Sequence, residues 1–300
     1  MAIATSLLSV YDKHYKPLML VTLVVVILAI ALLFGNYFMT GDFVNKGVSL
    51  KGGITVTVPV QSVVDTAAVQ TVLEKNFPAA DVSVRGITQA GQVTGIIIEA
   101  TELDEAQLVS ALQTVGITTT KGQYSIESMG SALGTEFFKQ TTRALILAFV
   151  FMAIVVFITF RVPVPSFFVV LAAFSDIMCT LAIVTLFGVK LSTAGIAALL
   201  MLIGYSVDTD ILLTNELLKS GRVNHTESIH KAMKTGLTMT GTSIMALLAM
   251  LFVSGSIVIE QIALTLLIGL LIDMPATWFT NAGFLRLWLE RKHRLTGVPQ

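Results

Sequence analysis

A bundle of six transmembrane helices with an inserted α+β domain of ferredoxin-like β-α-β-β-α-β order is the fold class this sequence predicts. Three observations carry it. Of 300 residues, 54% are hydrophobic and only 13% charged, with a mean hydropathy of +0.83, the composition of a chain whose solvent is the bilayer. Six runs approach the ~20 apolar residues that a spanning helix needs. One connection, of about a hundred residues, instead carries the alternation and turn chemistry of a water-soluble domain.

The spans are expected near Leu18 to Phe34, Ala144 to Phe160, Phe167 to Phe187, Thr193 to Leu218, Leu237 to Val253 and Ile257 to Phe279. Gly35, Pro163, Pro165, Gly188 and Gly255 punctuate them. The first run follows Lys13-His14-Tyr15-Lys16 but is too long for a signal-peptide core, so it reads as an uncleaved anchor. Within the inserted segment the pattern predicts a strand over Ile54 to Val60, a helix over Val63 to Asn76 and strands over Asp81 to Ile87 and Val93 to Ala100, joined by a turn at Ala90-Gly91. A helix over Leu103 to Val115, with Thr101 as its N-cap, and a strand over Gln123 to Glu127 complete the order. The organisation that follows is an N-terminal segment 1–17, a first span 18–35, an inserted domain 36–142, a five-helix bundle 143–280 and a tail 281–300. The segment Lys219 to Thr235 reads as the longest of the short connections, able to form a helix on the membrane surface.

Charge gives the orientation. Lys13, Lys16, Arg161, Lys219, Arg222, Lys231, Lys234, Arg286, Arg291, Lys292 and Arg294 fall on one side, against Lys190 alone in the short loops of the other. The positive-inside rule puts both termini in the cytoplasm and the domain outside, in a multi-pass protein of the cell membrane. A net charge of zero argues against a nucleic-acid partner. Cys179 is the single cysteine, no P-loop is present, and no nucleophile–base pair stands out, so neither a cysteine metal site nor an enzyme is predicted. His14, His225, His230 and His293 fall in segments expected to be solvated. No cofactor and no metal is expected.

The chemistry lies in carboxylates within the spans. Asp176 falls near the middle of the third run, Asp208 and Asp210 in the fourth and Asp273 in the sixth. A central Asp costs roughly 2.5 to 3.5 kcal/mol to insert, so such residues face a bundle interior or a polar path and carry a function or a register-fixing bond. At roughly 100° per residue, Asp208 shares a face with Gly204, Ile211 and Asn215, and Asp210 an almost opposite one with Ser206 and Thr214. Lys234 and the hydroxyls of Thr235, Thr238, Thr240, Thr242 and Ser243 offer donors on the fifth helix. Asp208, Asp210, Asp176, Lys234 and Asp273 are therefore the candidate proton-relay or coupling residues. Met274-Pro275 gives Asp273 a competing structural use, as a local hydrogen-bonding group.

Gly204-Tyr205-Ser206-Val207-Asp208 resembles the fourth-helix Gly-Tyr-Ser-(Ile/Val)-Asn-Asp motif of the SecD/SecF family of protein-export membrane proteins, in its archaeal SecF branch within the resistance-nodulation-division superfamily. Gly47-Val48-Ser49-Leu50-Lys51-Gly52-Gly53 is similar to that family's segment at the start of the outward domain, with Ser49 where Asp is frequent. Asp176 matches a family Asp in the third helix and Lys234 a family Arg at the base of the fifth. Asp208 stands at the motif's Asn position and Thr209 at its Asp position, moving the acid around the helix. The resemblance implies a non-enzymatic subunit that pairs with SecD. The pair would assist a SecYEG-type translocon, contact exported polypeptide and membrane lipid, and draw on the proton motive force. A half-unit exporting small lipophilic molecules and a structural translocase scaffold are the alternatives.

Overall fold

Within lipid every backbone N–H and C=O must find its partner inside the spanning segment, and in the computed structural model the apolar runs close, among the described residues, into six helices long and apolar enough to cross a membrane. The structure describes residues 2–60, 65–78, 80–89, 92–101, 103–114, 117, 124–219, 225–254 and 256–296. The turn expected at Ala90-Gly91 lies outside them. Helix α1 (Ala2–Thr40) leaves helical geometry at His14, one turn before Pro17, whose ring cannot accommodate the preceding turn and which lacks an N–H to continue it. Helix α5 (Ser131–Phe160) ends at Arg161, and α6 (Pro163–Leu186) starts on Pro163, where the missing N–H costs nothing. Helices α7 (Thr193–Lys219), α8 (His225–Val253) and α9 (Ile257–Pro275) follow.

Two stretches differ from the sequence expectation. The described part of the basic connection, from His225 on, is the first turns of α8 and not a separate surface helix. Gly236 lies within α8, where the Trp278 ring occupies the space a Cβ would need. The sixth span does not end near Phe279 in a tail. It passes through Pro275 into a π-helical segment, Ala276–Asn281, and on into α10 (Ala282–Thr296). Pro275 withdraws one backbone donor, and the wider π turn absorbs the break without ending the helix.

Burial sorts the spans. About half of the apolar window of α6, α7 and α9 is buried (50%, 56% and 50%), against 11%, 6% and 17% in α1, α5 and α8. Helices α6, α7 and α9 therefore make the centre, and the other three present apolar side chains such as Leu28, Phe151 and Phe252 outward. The α7–α9 approach is close because Gly269 leaves room for Leu202.

The inserted domain is a four-stranded antiparallel sheet of β1 (Gly53–Pro59), β2 (Val82–Gln89), β3 (Gln92–Ala100) and β4 (Ser125–Met129) in the order β2-β3-β1-β4. With α3 (Thr66–Asn76) and α4 (Glu105–Thr114) this is the expected ferredoxin-like arrangement. Its own core gathers Val56, Leu73, Ile96, Ile98, Leu108 and Leu112. Asp65 caps α3 by accepting from the N–H groups of Ala67 and Ala68. Thr101 does not cap α4. Its hydroxyl accepts the Asp81 N–H at 3.0 Å, and half of a capping box forms three residues later, the Asp104 N–H donating to Gln107 at 3.1 Å.

A short helix, α2 (Val48–Lys51), sits where the domain meets the bundle. Lys46 forms a parallel bridge with Leu191, the Gly47 N–H donating to the Leu191 carbonyl at 2.8 Å and the Leu191 N–H to the Asn45 carbonyl at 2.6 Å. The Ser49 hydroxyl accepts the Thr193 N–H at 3.2 Å, satisfying an open donor at the start of α7. Gly52 (φ +89°) lies against the backbone of Ser131 with no room for a Cβ, and Gly134 lies as closely on the Gly52 nitrogen. Around this joint Asp42 pairs with Lys46 at 2.5 Å, and Asp81 with Lys190 at 2.8 Å and Lys51 at 3.6 Å. Burial alone would raise the Asp81 carboxyl, but the hydrogen bond and charge of Lys190, then Lys51, outweigh it and hold it below its ordinary 3.8.

Two outcomes follow from the joint. Gly52→Ala is expected to cost about 1–3 kcal/mol through its forbidden φ and the Ser131 contact, whereas Gly35→Ala, which has open space within α1, does not lower the thermal midpoint in detergent. Because Asp81 is depressed in the folded state, its contribution is full above pH 3.8 and disappears as pH falls through the lowered value. Asp81→Asn should thus lower the midpoint by a few degrees at neutral pH, an effect limited by solvent screening of a half-exposed pair. Repeating the melts near pH 3 should show that difference shrink.

Candidate functional site: an intramembrane carboxylate string

The two aspartates of the fourth span part as their angular separation of about 200° requires. Asp210 is fully buried, together with Ser206 and Thr214, while Asp208, Gly204, Tyr205 and Asn215 lie on the exposed face of α7. Asp176 on α6 and Asp273 on α9 are buried as completely as Asp210, at 0% and 1% exposure. The three most buried helices thus each place one carboxylate in the centre of the bundle.

Hydroxyl groups link these carboxylates. The Ser206 hydroxyl donates to Asp176 Oδ2 at 2.6 Å, and the Thr209 hydroxyl lies 3.3 Å from Asp273 Oδ2. Asp176 and Asp273 are close electrostatic neighbours across the α6–α9 contact, where two carboxyl groups can bond to each other only when one of them carries a proton. The Thr277 hydroxyl stands 3.1 Å from both Asp273 Oδ1 and Asp210 Oδ1. It has a single proton to give, so it joins the two carboxyl groups and can accept from one while donating to the other. The Asn281 amide donates to Asp210 Oδ1 at 2.7 Å. A continuous string therefore runs Ser206, Asp176, Asp273, Thr277, Asp210, Asn281 across α6, α7 and the last helix.

The π segment makes its far end possible. In a regular α-helix Asn281 would stand about 80° around from Asp273, and the wider π turns bring it back toward the line of Asp273 and Thr277. Sequence reasoning placed position 281 in a tail and missed both Thr277 and Asn281. The available signal was polar residues recurring every four positions, Asp273, Thr277, Asn281, straight through Pro275.

Lys234 does not join the string. It is exposed on α8 and lines a shallow groove with Lys231, Thr235, Thr238, Met239 and Thr242, on the outer surface of the bundle. Below Asp208 on α7, Glu216 accepts from Lys231 at 3.0 Å, so the outward faces of α7 and α8 together form a polar strip unusual for a lipid-facing surface. Gly47, Gly52 and Gly53 lie at the joint between domain and bundle, far along α7 from the carboxylates, and serve packing: a Cβ at Gly53 would meet the Ala100 carbonyl. Among the described residues no group of three carboxylate, imidazole or thiol side chains is arranged to hold a metal.

Fold and site together define a polytopic membrane subunit in which a buried carboxylate string is linked along one helix to a water-soluble domain. Residues 109–291 match the family described as "Protein export membrane protein SecD/SecF, C-terminal". The chain is 38% identical to the protein-export membrane protein SecF of Pyrococcus furiosus over 92% of each chain. It is 39% identical to that of Methanolacinia petrolearia, covering 94% of this chain and 97% of the other. The fold is shared with the crystal structure of SecDF, a translocon-associated membrane protein from Thermus thermophilus, at a TM-score of 0.75 and 19% identity, over 94% of this chain and 38% of that one. The chain belongs to the SecF family of protein-export membrane proteins.

Removing a string member leaves a buried partner unbonded. Ser206→Ala and Asn281→Ala are each expected to cost about 1–3 kcal/mol of stability, and Asp208→Asn, on the exposed face, under about 0.5 kcal/mol. Thermal melts of the purified chain in detergent measure all three.

Proposed function

We propose that this chain pairs with a SecD partner, and that the pair uses a transmembrane ion gradient to assist polypeptide movement through a SecYEG-type channel, the string on Asp176, Asp210 and Asp273 being the coupling element. The single observation that carries the reading is that string: three carboxylates, joined by hydroxyls and deeply buried, on the three central helices of a protein-export subunit. Intramembrane acids so placed change charge as an ion arrives or leaves, and each such change alters which hydrogen bonds can form between helices. A gradient of roughly 100 mV supplies about 2.3 kcal/mol per charge, enough to bias a bundle whose two forms differ by a few kcal/mol.

The distribution of lysine and arginine supports cytoplasmic termini and an outward domain. Helix α7 then has Asp210 in its inner half and the Lys46–Leu191 bridge and Ser49 contact at its outer end. A shift of α7 against α9 on ion exchange is carried straight to the domain, which would contact the emerging polypeptide, its edge strands β2 and β4 being able to add an extended chain. The polar strip of Asp208, Lys234, Thr235, Thr238 and Thr242 suits a protein neighbour better than lipid, and we assign it to SecD. The solved SecDF chain, of which this chain spans 38%, supports a second half of similar architecture.

Inverted vesicles carrying SecYEG, SecD and this chain test the proposal through gradient-stimulated translocation of a secreted reporter. Asp210→Asn should abolish the stimulation while co-purification with SecD survives, and Asp208→Asn should weaken co-purification. Unchanged stimulation in Asp210→Asn would remove the string from the coupling path.

A further inference from the structure

A single turn of the last helix meets three others. Within the π segment Thr277 stands 3.1 Å from Asp210, and Asn281 donates to the same carboxyl at 2.7 Å, both on α7. Between these two positions the Trp278 ring lies against Gly236 of α8, leaving no room for a Cβ, and the Thr280 hydroxyl meets that of Thr22 on α1. Gly283, just beyond, gives space to Met19 of α1. From Thr22, α1 continues to Thr40, and the residues after it lead into the joint, where Lys46 bridges Leu191. Like α7, therefore, α1 connects the level of the string with the domain.

A π turn is held by i→i+5 bonds, such as that from the Ala282 N–H to the Thr277 carbonyl, and holds more residues than the α turn it replaces. It is rare because the same backbone is better bonded as an α-helix. Thr277 and Asn281 favour it here, since the wider winding is what brings Asn281 to Asp210. The margin is small: Asn281 Oδ1 and Asp210 Oδ2 stay buried without a hydrogen-bond partner, and Thr277 has one proton for two carboxyl groups. Rewound with i→i+4 bonds, the helix turns Asn281 about 80° from the line of Asp273. Trp278 and Thr280 turn the same way, off Gly236 and Thr22. Two windings of one segment, separated by a few side-chain bonds, make a bistable element.

We propose that the π segment is the two-state element of the coupling. The bonds of Thr277 and Asn281 to Asp210 hold it in the π form; when the charge of the string changes and they are lost, it rewinds and withdraws Trp278 and Thr280 from α8 and α1. The inference rests on the coupling reading above and deepens it, adding α1 as a second route to the domain and Trp278 and Thr280 as positioning residues.

The test is disulfide bridging of α1 to the π segment in the full chain, with Thr22→Cys and Thr280→Cys introduced together on a Cys179→Ala background. In nanodiscs, copper-phenanthroline should bridge the pair readily. The near-isosteric Thr277→Val and Asn281→Leu should each slow bridging about fivefold or more, and Asp208→Asn, on the exposed face, should not; circular dichroism checks folding. In the vesicle assay, with the oxidised Cys179→Ala chain as reference, closing the bridge should abolish gradient stimulation and dithiothreitol should restore it, a reversal that a merely structural contact does not produce. Failure of the folded chain to bridge, bridging unchanged by both variants, or full stimulation with the bridge closed overturns the switch. The coupling reading fails separately. Stimulation that needs Asp210 yet survives the closed bridge leaves the string coupled through α7 without the π segment; bridging that depends on Thr277 and Asn281, with stimulation indifferent to Asp210→Asn, keeps the two windings and sinks the coupling role.

Discussion

A charge in the middle of a membrane protein must be matched where it sits, because no water is at hand to solvate it and the surrounding dielectric is low. That constraint organises the centre of this chain. Asp176, Asp210 and Asp273 are each placed on one of the three helices with the most buried surface, and each finds hydroxyl, amide or carboxyl partners on a neighbouring helix. The helix contacts follow from it. Thr180 and Thr209 return their hydroxyl protons to helix carbonyls of Asp176 and Ser206, so the hydroxyls around the acids also secure the backbone. A π segment, an irregular element inside a membrane span, is tolerated because it lets Thr277 and Asn281 reach Asp210 from beyond a proline.

The same physics links the membrane core to the domain. Helix α7 is continuous over its 27 residues and has polar work at both ends. At one end it holds Asp210; at the other its first open N–H is taken by Ser49, and the strand-like bridge of Lys46 to Leu191 ties the preceding loop to the domain. The glycines of the Gly47–Gly53 segment allow this. Gly52 adopts a φ that disfavours side chains, and the backbone of α5 occupies the space a Cβ would need. A chain of ion pairs, Lys46–Asp42–Lys51–Asp81–Lys190, borders the joint, while Val44, Leu50 and Leu191 bury their side chains in the core of the bundle beside it.

Much of this was legible in the sequence, for identifiable reasons. Hydropathy located the spans because the bilayer requires a long apolar run for each crossing. Period-2 alternation and helical patches located the ferredoxin-like order because each strand buries one face on α3 and α4. Helical periodicity alone separated Asp208 from Asp210, since two residues' advance turns a side chain almost to the opposite face. Local readings failed where a distant group had taken the residue. Thr101, a plausible cap by spacing, is bonded to the Asp81 backbone across the sheet, and Gly236, a possible break after the basic stretch, lies inside α8 with Trp278 packed on it.

What the sequence determined by itself was the class of solvent, the number of crossings, the inserted domain and the set of acids that had to be accommodated, all properties of composition and period. Only the tertiary structure decided which acids meet. Asp273, whose neighbouring proline offered a local explanation, is the middle of the string, and Asn281, beyond the expected end of the span, is its terminus. Lys234, the cation the sequence offered as a partner, is exposed on α8 and does not meet them. The reason is that a helix period fixes the direction of a side chain relative to its own axis, whereas the partner it meets depends on how neighbouring helices are rotated and shifted, and here on six residues wound as a π-helix.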